Sequence, residues 1–286
     1  MQFTIEVDGY SHVYTAVGDA ERPAVIMIHG WNSYRGMWDG TIEALQHDYY
    51  CLALDMLGFG DSEKPHHADF SIEAQARRVL TFVETLGIDQ FILMGHSMGG
   101  QVGLYIASEL APERVISLVN VAGVVTGKIK WQAILFSPII HLAYYLPFMV
   151  SFARQFVRIP FVAKLAFGSL FYDVNGIPYA DWEGDRRVSV QSGSHIASSR
   201  ALRALKRENL SDRLANISAP TLIIFGQQDG LVPLSEAEIA HSNIMDSQLI
   251  IYDKCGHFPL YERKSDYLNA IHQFLQQPES LIPPTN

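Results

Sequence analysis

Cysteine is nearly absent from this chain: its 286 residues include only two, Cys51 and Cys255. Two cysteines cannot provide the disulfide framework that many secreted proteins need, so the sequence favours a reducing compartment. The first six residues also lack the basic and then apolar pattern of a signal peptide. We therefore expect a cytoplasmic protein.

Positive charge is also scarce, with 21 lysines and arginines against 30 aspartates and glutamates and a formal net charge of −9. A nucleic-acid partner requires a basic surface that displaces counterions from phosphates, so this balance argues against one. Hydrophobic residues make up 48% of the chain, an ordinary share for a globular protein. A chain of this length can form one large α/β domain with an insertion, or two small domains.

Short apolar runs alternate with helical patterns along most of the chain. Two alternating segments around Asp8-Gly9 predict an N-terminal hairpin. The main apolar runs that follow are residues 24–28, 50–54, 91–94, 115–121 and 221–225. Runs of this kind are typical of parallel strands that are buried on both faces. The alternation therefore predicts an α/β fold, a mostly parallel sheet with helices on both sides.

The alternation breaks between residues 123 and 212, which predicts a helical cap (lid) inserted into a core domain of residues 1–122 and 213–286. Ligands bind at the carboxyl ends of the strands in open α/β sheets, so we expect the cap to cover that site. Its segment 131–153 is uncharged, rich in aromatic residues and long enough to span a bilayer, but prolines interrupt it. We favour cap helices that pack on the core. The alternatives are a cap that contacts lipid peripherally and, least favoured, a transmembrane span.

The motif Gly95-His96-Ser97-Met98-Gly99-Gly100 lies between a predicted strand and a predicted helix. A chain that turns from strand into helix within a few residues brings backbone segments so close that only glycine fits beside the turn. The pattern Gly-x-Ser-x-Gly alone arises by chance in about one chain in ten of this size. Its strand–turn–helix context predicts that Ser97, at the apex, is a nucleophile.

A serine hydroxyl needs a base to take its proton and a carboxylate to orient that base. His257 lies in an irregular loop after the last predicted strand, whereas the one later histidine, His272, falls within a helix pattern. We predict that His257 is the base, with a structural loop histidine as the alternative.

The predicted acid is Asp229, which follows the strand at residues 221–225. The other position for such an acid, after the strand at 115–121, is excluded because no acidic residue occurs between Glu113 and Asp173. A turn-capping role is the alternative for Asp229.

Attack on a carbonyl group creates an oxyanion that two N–H donors must stabilise. We predict that the backbone N–H groups of Met98 and Trp31 form this oxyanion hole, with Asn32 as the second choice beside Met98. Plain packing is the alternative for Trp31. His29 and Gly30 are expected to shape the loop.

Other residues with reactive side chains are assigned structural roles. The adjacent His66 and His67 cannot converge on one ion along an extended chain, so we predict no metal site there. Turn or packing roles are predicted for Asp55, Asp61, His96 and Cys255.

Taken together, these motifs resemble those of the α/β-hydrolase superfamily over nearly the whole chain. The motifs are His29-Gly30-Trp31, the loop at 55–62, Gly95 to Gly100, Gly226-x-x-Asp229 and Gly256-His257. The resemblance implies an eight-stranded, mostly parallel sheet, a cap after the sixth strand, a Ser97–His257–Asp229 triad and no cofactor. Superfamily members that cleave carbon–halogen bonds or epoxides use an aspartate nucleophile, so Ser97 argues against both reactions.

The fold does not name the substrate. Because the cap is rich in aromatic residues, we expect a serine esterase or lipase that cleaves lipophilic carboxylic esters or thioesters through an acyl-enzyme intermediate. The alternatives are a C–C bond hydrolase of β-diketone-like substrates, a perhydrolase, and a non-catalytic small-molecule receptor.

Overall fold

The computed structural model describes residues 1–130, 168–173, 175, 183–184, 187 and 194–277. Within these residues eight strands form one sheet. The strands are β1 (Gln2–Val7), β2 (Tyr10–Val17), β3 (Ala24–Ile28), β4 (Tyr50–Leu54), β5 (Phe91–His96), β6 (Val115–Val121), β7 (Thr221–Gly226) and β8 (Ser247–Tyr252).

The strand order is β1-β2-β4-β3-β5-β6-β7-β8. β1 pairs with β2, and β2 with β4, in antiparallel fashion; every other pair is parallel. The carboxyl ends of β3, β5, β6 and β7 therefore lie along one edge of the sheet. The eight-stranded, mostly parallel sheet expected from the sequence is confirmed.

Helices cover both faces of this sheet. They are α1 (Asp39–Leu45), α2 (Ile72–Thr85), α3 (Met98–Tyr105), α4 (Ser194–Arg207), α5 (Ser235–Asn243), α6 (Pro259–Glu262) and α7 (Lys264–Leu275). Side chains alternate along each strand, so β3 contributes Val25 and Met27 to the core beneath α1 and α7. Ile26 and Ile28 join the opposite core, which also contains residues of α2, α3, α4 and α5. All four side chains are fully buried.

Some helices differ in detail from the expectation. The helix predicted near residue 37 begins as a 3₁₀ turn, Arg35–Trp38, and becomes α-helical only at Asp39. α3 begins at Met98, directly after Ser97, and ends in a π turn, Ile106–Leu110. α5 is absent from the sequence-based prediction because its apolar pattern is weak, with Ala237 and Ala240 as its buried apolar residues.

The predicted cap is described only in part. The structure describes α4 and a 3₁₀ turn, Gly168–Leu170, within residues 123–212. The aromatic segment 131–153 lies outside the described residues, and the domain boundaries stay predictions. Among the described residues, no helix has the length and apolar character that crossing a membrane requires.

Candidate active site

Ser97 occupies the sharp turn between β5 and α3. Its φ of 54° and ψ of −116° are strained for a residue with a side chain. The turn is tight: a Cβ atom on Gly95 would lie 2.3 Å from the backbone oxygen of Gly99, and one on Gly99 would lie 2.3 Å from that of Ile28. Glycine is required at both positions, as the sequence predicts.

The structure brings the three predicted triad residues together from three separate loops. Ser97 Oγ lies 3.0 Å from His257 Nε2, and His257 Nδ1 lies 2.7 Å from Asp229 Oδ2. The exposed fractions of Ser97, His257 and Asp229 are 4%, 2% and 1%. At these distances Nδ1–H donates to the carboxylate and leaves Nε2 free to accept the serine proton.

The second oxygen of Asp229 is also satisfied. Oδ1 accepts the backbone N–H groups of Leu231 at 2.7 Å and Val232 at 2.9 Å. Three hydrogen bonds to one buried carboxylate offset the cost of removing it from water. They also hold Oδ2 towards His257.

The loop after β3 carries the other predicted oxyanion donor. Trp31 lines a pocket together with Ser97, and its indole N–H donates to the carbonyl of Ser198 in α4 at 2.7 Å. Met98 is the first residue of α3, where the helix leaves its N–H groups without helical partners. Both predicted donors therefore lie beside Ser97, and their role in binding an oxyanion stays a prediction.

The pocket beside Ser97 is apolar. Its other lining residues are Val124, Ile129, Leu202, Leu205, Leu231 and Val232. Leu202 and Leu205 come from α4, so a helix of the predicted cap region forms one wall.

The comparisons with known proteins agree with this fold. A family model described as the alpha/beta hydrolase fold matches residues 23–264. The chain belongs to the α/β-hydrolase family. An uncharacterized Mycobacterium tuberculosis protein is 29% identical over 96% of this chain and 80% of its own length. A monoacylglycerol lipase of Xenopus laevis is 27% identical over 95% and 81%. The crystal structure of a bacterial membrane phospholipase A is 25% identical, with a TM-score of 0.78 over 96% of this chain and 85% of that one.

In this α/β-hydrolase His29 shapes the loop after β3, as expected. Its Nδ1–H donates to the carbonyl of Gly30 at 2.7 Å, and its Nε2 accepts the N–H of Met56 at 3.0 Å. Burial lowers the pKa of His29, which keeps the ring neutral and able to accept at Nε2. The bond to Met56 connects the loop after β3 to the loop after β4.

Asp55 and Asp61, for which the sequence predicts only turn roles, also form a cluster of ion pairs with Arg35. Asp55 is fully buried and pairs with the guanidinium of Arg35, whose backbone N–H it accepts at 2.6 Å. Arg35 also pairs with Asp61 at 2.9 Å. Asp55 and Asp61 do shape their turn, because Asp61 N–H donates to Asp55 Oδ2 at 2.8 Å. Sequence reasoning missed their shared partner, which is 20 residues from Asp55 in the chain.

His96 supports more than the turn before Ser97. Its Nε2–H donates to the carbonyl oxygen of His257 at 2.9 Å, and its ring stacks on Phe258 with centroids 4.9 Å apart. Burial lowers the pKa of His96 well below its usual value, so the ring is neutral. His96 therefore links the Ser97 turn to the His257 loop.

Two further charged residues, Glu236 and Lys130, hold loops of the candidate site, although the sequence analysis assigns neither of them such a role. The buried carboxylate of Glu236 accepts the N–H groups of Val125 and Thr126, each at 2.7 Å, and so holds the loop after β6. The ammonium of Lys130 donates to the carbonyl oxygen of Asp229 at 2.5 Å. In the sequence both appear as ordinary surface charges.

Neither cysteine resembles a nucleophile, and no metal site emerges from the part of the chain that the structure describes. Burial raises the pKa of the Cys51 thiol to about 12 and raises that of Cys255 further. Within the described residues no group of three or more histidine, cysteine, aspartate or glutamate side chains converges to hold an ion. The rings of His66 and His67 lie 6.4 Å apart.

Proposed function

We propose that this α/β-hydrolase is a serine hydrolase that cleaves carboxylic esters or thioesters with a lipophilic acyl part through an acyl-enzyme intermediate. The observation that carries the proposal is the continuous chain of contacts from Ser97 through His257 to Asp229. The apolar pocket beside Ser97 supports a lipophilic substrate. The similarity to a monoacylglycerol lipase supports an ester bond as the target.

In the proposed reaction His257 Nε2 takes the proton of Ser97 Oγ while this oxygen attacks the carbonyl carbon. The N–H groups of Met98 and Trp31 stabilise the resulting oxyanion. As the intermediate collapses, the C–O bond to the alcohol breaks, and the alcohol leaves with the proton from Nε2. Water then attacks the acyl carbon and gives a proton to His257; the bond between this carbon and Oγ breaks, and the proton passes from His257 to Oγ, which releases the acid and restores Ser97. Asp229 stabilises the imidazolium that forms in both halves.

The experiment that tests this proposal is labelling with a fluorophosphonate, followed by mass mapping of the modified peptide. We expect modification at Ser97 in the wild-type protein and none in Ser97→Ala or His257→Ala. Turnover of p-nitrophenyl esters of rising chain length then measures the acyl preference, and Ser97→Ala should lower kcat by about 10⁶-fold. A folded protein that neither labels nor hydrolyses any ester contradicts the proposal and favours a small-molecule receptor.

The same proposal includes peripheral contact between the cap and lipid. α4 has Leu202 and Leu205 in the pocket wall, whereas Arg200, Arg203 and Arg207 are exposed on another face. An arginine face beside an apolar pocket suits a substrate that is drawn from an anionic lipid surface. Flotation with phosphatidylglycerol vesicles should carry the protein upwards, and replacement of the three arginines by glutamine should abolish this. Protein that stays in solution with such vesicles contradicts lipid contact but leaves ester hydrolysis standing.

A further inference from the structure

Three consecutive backbone N–H groups around His257 are held by partners outside their own loop. The N–H of His257 donates to the carbonyl of Leu170 at 2.7 Å. The N–H groups on either side, of Gly256 and Phe258, donate to Oε1 of Glu262 at 2.9 Å and 3.4 Å. The position of the imidazole therefore depends on Glu262 and on the segment that contains Leu170.

That segment, residues 168–173, lies within the predicted cap and packs directly on the His257 loop. The rings of Phe171 and Phe258 are stacked with centroids 5.0 Å apart. A Cβ atom on Gly256 would lie 2.5 Å from the carbonyl oxygen of Leu170 and 2.8 Å from the backbone N of Tyr172. The two backbones therefore touch, and this approach is open only to glycine.

Glu262 binds both sides of this contact. Its Oε1 accepts from the His257 loop, and its Oε2 accepts the backbone N–H of Tyr172 in segment 168–173 at 2.7 Å. One carboxylate thus joins the catalytic loop to the cap segment. Such charge-assisted hydrogen bonds are stronger than neutral ones, and here the donors come from positions more than 80 residues apart.

We propose that Glu262 is a positioning residue, which aligns the imidazole of His257 with Ser97 and Asp229 by holding the His257 loop against segment 168–173. This inference rests on the proposed function, because it assigns Glu262 to the alignment of that triad. Proton transfer from Ser97 requires Nε2 within hydrogen-bond reach of Oγ, so a shift of the loop by even 1 Å costs about 100-fold in rate. Docking of segment 168–173 thereby becomes part of forming the catalytic site.

The test compares Glu262→Gln and Glu262→Ala with two control variants. Glutamine keeps one acceptor oxygen but places an NH₂ group against N–H donors, whereas alanine removes both acceptors. The first control, His12→Asn, alters a buried side chain of β2, outside the candidate site, whose Nδ1–H donates to the carbonyl of Tyr10 at 3.0 Å. The second, Glu238→Gln, changes the charge at an exposed position of α5. For each variant we would measure kcat, KM, Tm and the rate of fluorophosphonate labelling at Ser97.

We expect Glu262→Gln to lower kcat and the labelling rate by about 10- to 100-fold, with KM changed by less than about 3-fold. Glu262→Ala should lose more, and Glu238→Gln should match the wild type. Wild-type kcat and labelling in a folded Glu262→Gln would overturn the proposal while the proposed function stands. An equal fall in kcat for His12→Asn at the same loss of Tm would also overturn it, because general destabilisation would then be the cause.

A second variant covers the case in which no Glu262 variant folds. Gly256→Ala leaves the carboxylate in place but drives the His257 loop away from Leu170, and we expect the same selective loss of kcat. Wild-type kcat in Gly256→Ala would overturn the proposal. A wild-type protein that does not label at Ser97 would overturn both this inference and the proposed function.

Discussion

Replacing Asp229 with asparagine changes one atom of the candidate triad, and the structure dictates how the new amide must face. Oδ1 of Asp229 accepts two backbone N–H groups, from Leu231 and Val232. In D229N the amide oxygen has to take this position, because an NH₂ group there would face two donors inside a buried site. The NH₂ group of the amide is therefore directed at Nδ1 of His257.

His257 must then accept a hydrogen bond at Nδ1, so its own proton moves to Nε2, the atom 3.0 Å from Ser97 Oγ. A ring nitrogen that already carries a proton cannot take another from the serine. The base is lost although every heavy atom keeps its place, and we expect kcat to fall by about 10⁴-fold with little change in Tm.

Steady-state hydrolysis of the best p-nitrophenyl ester measures this loss, and the rate of phosphonylation at Ser97 gives an independent reading. The matched control is D253N, which makes the same exchange at an exposed residue that accepts a hydrogen bond from Gln228. We expect wild-type kcat in D253N. A folded D229N protein with kcat within about tenfold of the wild type would refute the assignment of Asp229 and the tautomer argument together.

Two further predictions concern stability. Gly99→Ala places a Cβ atom 2.3 Å from the backbone oxygen of Ile28 at the end of β3, so it should lower the free energy of unfolding by about 1–3 kcal/mol. Gly103→Ala in the same helix meets nothing nearer than 3.5 Å and should be neutral or stabilising by up to about 1 kcal/mol; equal urea midpoints for the two variants would contradict this. Burial lowers the pKa values of His12, His29 and His96, so below about pH 6.5 the unfolded chain binds protons that the folded chain does not. As the pH is lowered below about 6.5, the free energy of unfolding should therefore decrease by up to about 1.4 kcal/mol per pH unit for each histidine. His12→Asn should make this decrease less steep when the free energy is measured by urea titration at several pH values. The same pH dependence in His12→Asn and the wild type would contradict the prediction for His12.

The elements that local patterns encode were predicted well. The bounds of β3, β4 and β6 match the apolar runs seen in the sequence, because a strand buried on both faces is apolar at most of its positions. Ser97, Asp229 and His257 were placed by the loops that follow predicted strands. In a parallel sheet these loops share one edge, which is why residues 28 and 160 positions apart in the chain could be expected to meet.

The charged residues that hold the site were not predicted, because their partners are backbone groups of distant segments. Glu262 lies in a short helix, four residues beyond Phe258, and nothing in the local sequence distinguishes it from a solvated acid. Glu236 and Arg35 are similar, since each is buried by contacts that only the assembled fold creates. Sequence periodicity reports which side chains are apolar; it carries no information about which backbone donors a carboxylate will meet.

Each loop of the candidate site also makes hydrogen bonds with the predicted cap region. The ammonium of Lys130 donates to the carbonyl of Asp229, the carbonyl of Leu170 accepts from the N–H of His257, and the carbonyl of Ser198 accepts from the indole of Trp31. A cap that only covered a finished site would affect substrate binding alone. Here we expect a movement of the predicted cap to shift the loops that carry Asp229, His257 and Trp31 together. Substitutions in the predicted cap should therefore change kcat as well as KM of the proposed reaction, which the hydrolysis of p-nitrophenyl esters measures.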